Sequence, residues 1–493
     1  MKPPQLNHRL TSLDAAFLYL EKKECPLHIG SVSVFAGDIT GEGLRQHIAA
    51  RLHLLPRYVQ KVVPDPFYVS HPTWETATDF SLDRHIFERE LAAPGDEAAL
   101  QALAGDIWSQ LLDRNQPLWE LHVVRGLAGG RAALIAKVHH CMVDGVSGVD
   151  LMRILFDISP HATPPPPPKP DDAPKPLPDP TRQLFDALIG GMQDTMNRWV
   201  ELQGGLMYVA QNLLNPQMLP VASHLARMLP AITTPPTLLP FNGTCSGRQH
   251  IAWSEFSFAD ARAIRTACDG TVNDVVLTVL SGAVSRYAVL HGQPVAGRSV
   301  RFMVPVSLRQ KEQRGALGNL ISILPVEIPL DVADPLARFQ VVKQQTAMMK
   351  AARLAEGLGA LGALYSMLPA PLQQLVGALA ETPVPPFNMV ATNVPGPQVP
   401  LYMLGQKMLA HYPYVPIGYA IGMGCAIFSY DQKIFFGLSA DSQIVPDVAQ
   451  FKQLLDECYA ELRARAGVPE PDAPPLAAPP PKVPKRKARA IRK

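Results

Sequence analysis

The segment His139-His140-Cys141-Met142-Val143-Asp144-Gly145 brings together the residue types that proton transfer needs. A neutral imidazole can take a proton from a hydroxyl and later return one to a leaving group, because its unperturbed pKa of about 6.5 lies near neutral pH. The preceding stretch, Ala132 to His140, reads as a buried strand, on which residues two apart share a face. His140 then falls with Leu134, Ala136 and Val138 on the uniformly apolar side, whereas His139 falls with Lys137 on the side that carries a charge. His140 is therefore the expected general base, facing covered space. Asp144 and Gly145 follow in a turn, where an aspartate can anchor backbone or an arginine and a glycine admits close approach of chain and substrate.

Adjacent histidines on a strand diverge, and no carboxylate at ligand spacing completes a site, so no metal is expected. The competing structural reading is a pair of satisfied histidines at a strand end.

The elements that must position these residues follow an α/β pattern. Before the histidines, spacing predicts a helix over Asp14 to Leu20, a strand Ile29 to Phe35, a helix Gly43 to Leu52 and the strand Ala132 to Val138. A proline run, Pro164 to Pro168, lies inside a segment that can form neither helix nor central strand and reads as a stiff linker or, alternatively, a docking motif. Leu184, Leu188, Met192, Met196 and Trp199 then mark a long amphipathic helix.

From Arg248 the pattern resumes with strand Ser254 to Phe258, helix Asn273 to Leu290, and strands Val300 to Val306 and Ile321 to Ile328. Strands Phe387 to Thr392, Ala420 to Tyr430 and Lys433 to Ser439, and a closing helix Val448 to Ala464, complete it. The expected organisation is a first domain over residues 1–158, a linker over 159–182, a helical connection over 183–240, a second domain over 241–468 and a disordered tail over 469–493.

With 493 residues, 47% hydrophobic and 18% charged, the chain has ample apolar material for two cores. Seven of its basic residues stand among the last twelve, which leaves the body mildly acidic and argues against nucleic acid as a partner. That tail is either simply solvated or drawn to an anionic membrane surface. Six scattered cysteines without a CxxC pair suggest neither a disulfide framework nor a zinc site, and reduced thiols in the cytosol fit best. The polar first 23 residues give no secretion signal. The uncharged stretches Gly357 to Ala380 and His411 to Tyr430 are interrupted by proline, which favours interfacial contact or core burial over membrane spanning.

A resemblance narrows this reading. The HHxxxDG pattern of residues 139–145 is similar to that of CoA-dependent acyltransferases. Leu13-Asp14-Ala-Ala-Phe17-Leu18, Leu27-His28-Ile29-Gly30, Pro117-Leu118-Trp119-Glu120, Thr271-Val272-Asn273-Asp274 and Asn393-Val394-Pro395-Gly396-Pro397, in this order, resemble segments of the bacterial wax ester synthase/diacylglycerol acyltransferase family. The likeness runs from about Leu10 to Ala464.

The resemblance implies two similar domains, each a mixed sheet with flanking helices, around a central tunnel entered by acyl-CoA and a lipid alcohol from opposite sides. It implies His140 as the base and His139 and Asp144 as its partners in the motif, with Asp144 holding the loop. Asn273 and Asp274 would sit where the second domain meets the histidine, although Asn273 also fits a helix N-cap. Pro117, Leu118 and Trp119 would wall a pocket, although a tryptophan after Pro-Leu is more often plain core. Asn393 and Gly396 would shape a turn.

Cys141 would face away from His140 on the strand, so direct attack of the hydroxyl is expected rather than an acyl-enzyme. No cofactor is expected, since acyl-CoA is itself a substrate. The acceptor is diacylglycerol or a long-chain fatty alcohol, and the enzyme is expected in the cytoplasm, peripheral to the inner membrane face or to lipid inclusions. The competing functions are an acyltransferase using a carrier-bound substrate and a lipid-inclusion protein without catalysis.

Overall fold

The computed structural model describes residues 8–65, 70–143, 148–167, 234–307, 321–351, 371–374 and 385–469. Its frame is two six-stranded mixed sheets with helices packed on them, in agreement with the α/β reading. Asp144, Gly145, the 184–199 helix, most of the 357–380 stretch and all but the first residue of the 469–493 tail lie outside the described residues.

The first half supplies α1 (Ser12–Leu20), β1 (His28–Phe35), α2 (Gly41–Ala49), the short pair β2 (Gln60–Val63) and β3 (Thr73–Thr76), then β4 (Ile86–Glu90), α3 (Glu97–Ser109), β5 (Trp119–Leu127), β6 (Arg131–His139) and α4 (Gly148–Leu155). The second half supplies β7 (Gln249–Ser257), α5 (Phe258–Ala267), α6 (Val272–Leu290), β8 (Ser299–Ser307), β9 (Ile321–Pro329), α7 (Pro335–Ala351), β10 (Met389–Pro395), β11 (Tyr402–Met403), β12 (Gln406–Tyr414), β13 (Met423–Tyr430), β14 (Lys433–Asp441) and α8 (Val448–Arg465). Most predicted elements are present with ends moved by one to three residues. The strand expected over Ser254 to Phe258 starts earlier, at Gln249, because its whole length pairs with β14.

Local chemistry explains the firmest elements. Thr271 caps α6 by accepting the N–H of Asp274 while Asp274 returns a bond to the Thr271 N–H, a reciprocal box that satisfies two helix-end donors. Nearly every residue of α6 from Asp274 to Ala288 is buried, as befits a helix lying across the second core. β13 and β14 are buried at every position except Lys433, so they read as continuous apolar runs without alternation.

The sheet orders are β11-β12-β1-β6-β5-β4 and β7-β14-β13-β10-β8-β9. The first order holds a feature that sequence reasoning did not see. Residues 402–414 lie inside the expected second domain, yet β12 crosses to the first sheet and pairs antiparallel with β1, Gly30 opposite Tyr414 and Ser33 opposite His411. Pro413 and the unbroken uncharged stretch after it disguised this strand. Proline is tolerated because β11 covers only Gln406 and Lys407, so the rest of β12 is a sheet edge.

The crossing welds the two halves. Trp253 of β7 stacks on Tyr412 of β12 at 4.5 Å, and Ser109 at the end of α3 accepts the Gln249 N–H at 2.8 Å. One apolar core runs through the junction, from Val32 and Ile135 to Tyr414, Phe428 and Phe435. Where the sheets meet, Gly437 of β14 lies so close to β12 that a Cβ would stand 1.7 Å from the Pro413 carbonyl oxygen.

Gly437→Ala should therefore force the sheets apart and destabilise by about 1–3 kcal/mol or more, the cost of overpacking a rigid contact. Gly243→Ala, whose Cβ would meet only Ile444 at 3.8 Å, serves as the control and should change stability by less than ~0.5 kcal/mol. Urea unfolding of both variants measures this, and equal midpoints would contradict the tight crossing.

Candidate active site

β6 ends at His139, and a 3₁₀ turn, His140–Val143, begins with His140. The alternation argument for the two histidines thus holds for His139 but reaches one residue too far for His140, whose direction the turn sets. His140 stacks on Phe17 of α1, ring centroids 3.8 Å apart and planes 14° apart, and its N–H donates to the Leu27 carbonyl at 3.0 Å.

The two imidazoles have different surroundings. His139 is fully buried: its Nδ1 accepts the Cys141 N–H at 3.2 Å and its Nε2 lies 3.3 Å from Glu21 Oε1. His140 keeps partial exposure, and its Nδ1 is enclosed without a partner in another residue. Burial pushes the His140 pKa down to about 4, with only its own backbone pulling the other way. The ring is neutral at physiological pH and able to accept a proton.

The face of the sheet that carries His139 is a buried polar layer. His28 of β1, opposite His139, brings its Nε2 within 3.2 Å of Glu21 Oε1, and Arg114 donates to Glu21 Oε2 at 3.0 Å. Burial alone would raise the Glu21 pKa, but the His139 and His28 imidazoles beside it outweigh the desolvation and hold the carboxyl well below the usual range. Farther along the layer Lys137 sits 3.7 Å from Glu120, which also meets His122 at 3.1 Å. Burial lowers the pKa of Lys137 and of His122, against the opposing pull of Glu120.

Glu21, His28 and Phe17 are site residues that the chemistry of the histidine motif alone did not single out. The signal for two of them was present, since Phe17 and His28 stand in quoted segments, and Glu21 lies between those segments.

The other predicted residues fall into two groups. Pro117, Leu118 and Trp119 are buried, and the Leu118 carbonyl accepts the His139 N–H at 2.9 Å, so this segment flanks the histidines through backbone. Trp119 itself stacks on His85 at 4.4 Å and donates to the Tyr58 carbonyl, the behaviour of a core residue.

Asn273 and Asn393, far apart in sequence, come together with Asn393 Nδ2 donating to Asn273 Oδ1 at 3.4 Å. The N-cap reading of Asn273 is corrected: Thr271 is the cap, and Asn273 lies inside the helix, half-buried and free to face Asn393. Asp274 accepts from Thr271 and from Thr346 of α7 at 2.7 Å, so it joins two helices. Gly396 lies against β13, where a Cβ would stand 2.4 Å from the Ser429 carbonyl oxygen, so the close approach it permits is to the protein's own strand. Among the described contacts none links the Asn273–Asn393 pair to His140.

Cys141 is fully buried, and burial, reinforced by the charges of Asp14 and Glu21, raises its thiol well above the ordinary range. It is no nucleophile at neutral pH. Among the described residues no group of three or more His, Cys, Asp or Glu side chains could hold a metal ion, and no helix is long and apolar enough to cross a membrane.

This geometry can be set beside known proteins. A wax ester synthase/diacylglycerol acyltransferase from Marinobacter aquaeolei VT8 superimposes with a TM-score of 0.62 over 93% of this chain and 100% of its own, at 22% identity. The first condensation domain of the CDA synthetase does so with 0.55 over 94% and 96%, at 14% identity. The fold thus belongs to the two-lobed class that acyltransferases share with condensation domains.

Within that class sequence decides. The wax ester synthase/diacylglycerol acyltransferase catalytic domain profile matches residues 10–276, and the C-terminal domain profile of the same family matches 317–463. A probable diacylglycerol O-acyltransferase, tgs1, of Mycobacterium tuberculosis H37Rv is 30% identical over 470 residues, 93% of this chain and 96% of its own. The chain belongs to the wax ester synthase/diacylglycerol acyltransferase family and is an acyltransferase.

The buried histidines also set the acid limit of the fold. His28, His85, His122, His140 and His411 all have pKa values lowered by burial, His411 to about 4 like His140. Their folded values lie below the unfolded value near 6.5, so the unfolded chain takes up protons first as pH falls. Stability should be flat above about pH 7 and fall between about pH 6.5 and 4. Urea midpoints at pH 7.5, 6 and 5 test this, and a midpoint that holds or rises down to pH 5 would contradict the buried neutral state.

Proposed function

We propose that the protein transfers an acyl group from acyl-CoA to the hydroxyl of a lipid alcohol, with His140 as general base. The observation that carries this reading is the contrast between the two imidazoles: His139 is fully buried beside Glu21 with its Nδ1 committed to the Cys141 N–H, whereas His140 is partly exposed, stacked on Phe17 and neutral. His140 Nε2 takes the proton of the acceptor hydroxyl as its oxygen attacks the thioester carbonyl. The tetrahedral oxyanion then collapses, the carbon–sulfur bond breaks, and the proton passes from His140 to the departing CoA thiolate. Ester and free CoA result, with no acyl-enzyme and no cofactor.

The acceptor is diacylglycerol, a long-chain fatty alcohol, or both. The mycobacterial relative is named for diacylglycerol and the Marinobacter structure for wax ester synthesis as well. Apolar pockets discriminate weakly between related alkyl chains, which supports a site open to both. Asp144 and Gly145 would hold the turn that follows the histidines. The enzyme works at the membrane or lipid-inclusion surface, where its substrates reside, and the basic run after Pro481 favours an anionic surface.

The test is to incubate purified protein with palmitoyl-CoA and either dioleoylglycerol or hexadecanol and to separate the ester products. Ester formed from free acyl-CoA, at a rate that His140→Ala lowers at least ~100-fold in folded protein, is the expected result. No ester from free acyl-CoA would overturn the donor, and near-normal rates in the variant would overturn the base.

A further inference from the structure

We infer that Glu21 is the positioning residue of this site, a buried carboxylate that fixes the backbone on both sides of His140. The inference rests on His140 being the base. Glu21 Oε1 lies 3.3 Å from His139 Nε2 and accepts the Leu27 N–H at 3.2 Å. Each contact leads to His140. By the first route His139 is oriented so that its Nδ1 accepts the Cys141 N–H at 3.2 Å. By the second, Leu27 is held where its carbonyl accepts the His140 N–H at 3.0 Å. The two N–H groups on either side of the His140 Cα are thus tied to one carboxylate, each through a single intervening residue.

The tautomer of His139 follows. To accept from Cys141, Nδ1 must be unprotonated, so the ring carries its proton on Nε2, which lies 3.3 Å from Glu21 Oε1 without the alignment of a hydrogen bond. A third link runs through α1, whose Phe17 carbonyl accepts the Glu21 N–H at 3.1 Å while the Phe17 ring stacks on His140. The wall, the turn and the preceding strand end all refer to Glu21.

The first lobe holds the carboxylate, and the second lobe holds the backbone on either side of it. Arg114, in the first lobe, donates to Glu21 Oε2 at 3.0 Å and to the Leu18 carbonyl at 2.9 Å. From the second lobe, the Tyr419 hydroxyl donates to the Leu20 carbonyl. Gly247 and Gly418 approach the same loop so closely that a Cβ would stand 2.2 Å from the Lys23 carbonyl oxygen and 2.1 Å from Cys25 Sγ, respectively. Glu21 therefore reads the docking of the two lobes and passes it to the base. It does not touch His140 and is not a catalytic residue.

The experiment compares Glu21→Gln, His139→Ala and the double variant in full-length protein, with palmitoyl-CoA and hexadecanol or dioleoylglycerol and with thermal unfolding in parallel. Misplacing a base by a fraction of an ångström to an ångström costs rate rather than binding, so Glu21→Gln should lower kcat by about 10–100-fold with both KM values within about twofold of wild type. In the His139→Ala background the same change should cost clearly less, because the two residues act on one route.

A Glu21→Gln protein that melts earlier but keeps the normal kcat in its folded fraction would overturn the inference, as would costs that multiply independently. Should that variant fail to fold, Arg114→Gln releases Oε2 while leaving the carboxylate in place. Arg114→Gln should lower kcat several-fold at unchanged KM, and an unchanged kcat would count against the role. His140→Ala assayed alongside separates the two failures: an active His140→Ala removes the base assignment, whereas an inactive one beside a normal Glu21→Gln removes only the positioning role.

Discussion

The backbone ladder around β1 is the constraint on which the rest depends. On one side β1 pairs with β6, which ends in His139 at the threshold of the catalytic turn; on the other it pairs with β12, delivered from the far half of the chain. A strand whose polar groups are satisfied on both edges cannot slide without breaking both ladders, and a slip of one residue would turn every side chain to the opposite face. The register that places His28 opposite His139 and Gly30 opposite Tyr414 therefore fixes the site and the relation of the lobes together.

Beneath that ladder lies a concentration of buried charge that an apolar core would avoid. Desolvating a carboxylate is costly unless ion pairs and hydrogen bonds replace the lost water. Glu21 has four polar neighbours within 3.3 Å, of which the Leu27 N–H and Arg114 hydrogen-bond it, and each belongs to the site or its frame. A polar layer of this kind tolerates few alternative arrangements, which suits a place where one nitrogen must be held for proton transfer. On the neighbouring turn, by contrast, burial keeps His140 uncharged and raises the Cys141 thiol, so the same physics prepares the base and silences the thiol next to it.

How much of this was legible in the sequence depended on whether the signal was local. Helix α6 was found almost to the residue because a polar residue before a long apolar run marks a helix start, and the strand before the histidines because its apolar run is broken only by Lys137. The two sheets followed from the α/β pattern. β12 was not legible, since its pairing partner β1 stands at the opposite end of the chain and its Pro413 reads as a breaker until the free sheet edge is known. Glu21 was hidden for a similar reason: in sequence it is one more charge after a helix, and only the fold sets it among His28, His139 and Arg114. Asn273 was left open between a cap and a place facing the other domain because an asparagine before an apolar run satisfies the same local rule that Thr271 fulfils.

The central claim is electrostatic: a base that stays neutral because it is buried, beside a histidine whose tautomer is fixed. Nitrogen-15 NMR of histidine-labelled protein, with His140 assigned by the resonance lost in His140→Gln, reads both the charge and the protonated nitrogen of each ring. The account predicts a His140 imidazole still neutral at pH 6, titrating near 4, and a His139 ring with Nδ1 free of a proton. A His140 that is already protonated at pH 7 would contradict it.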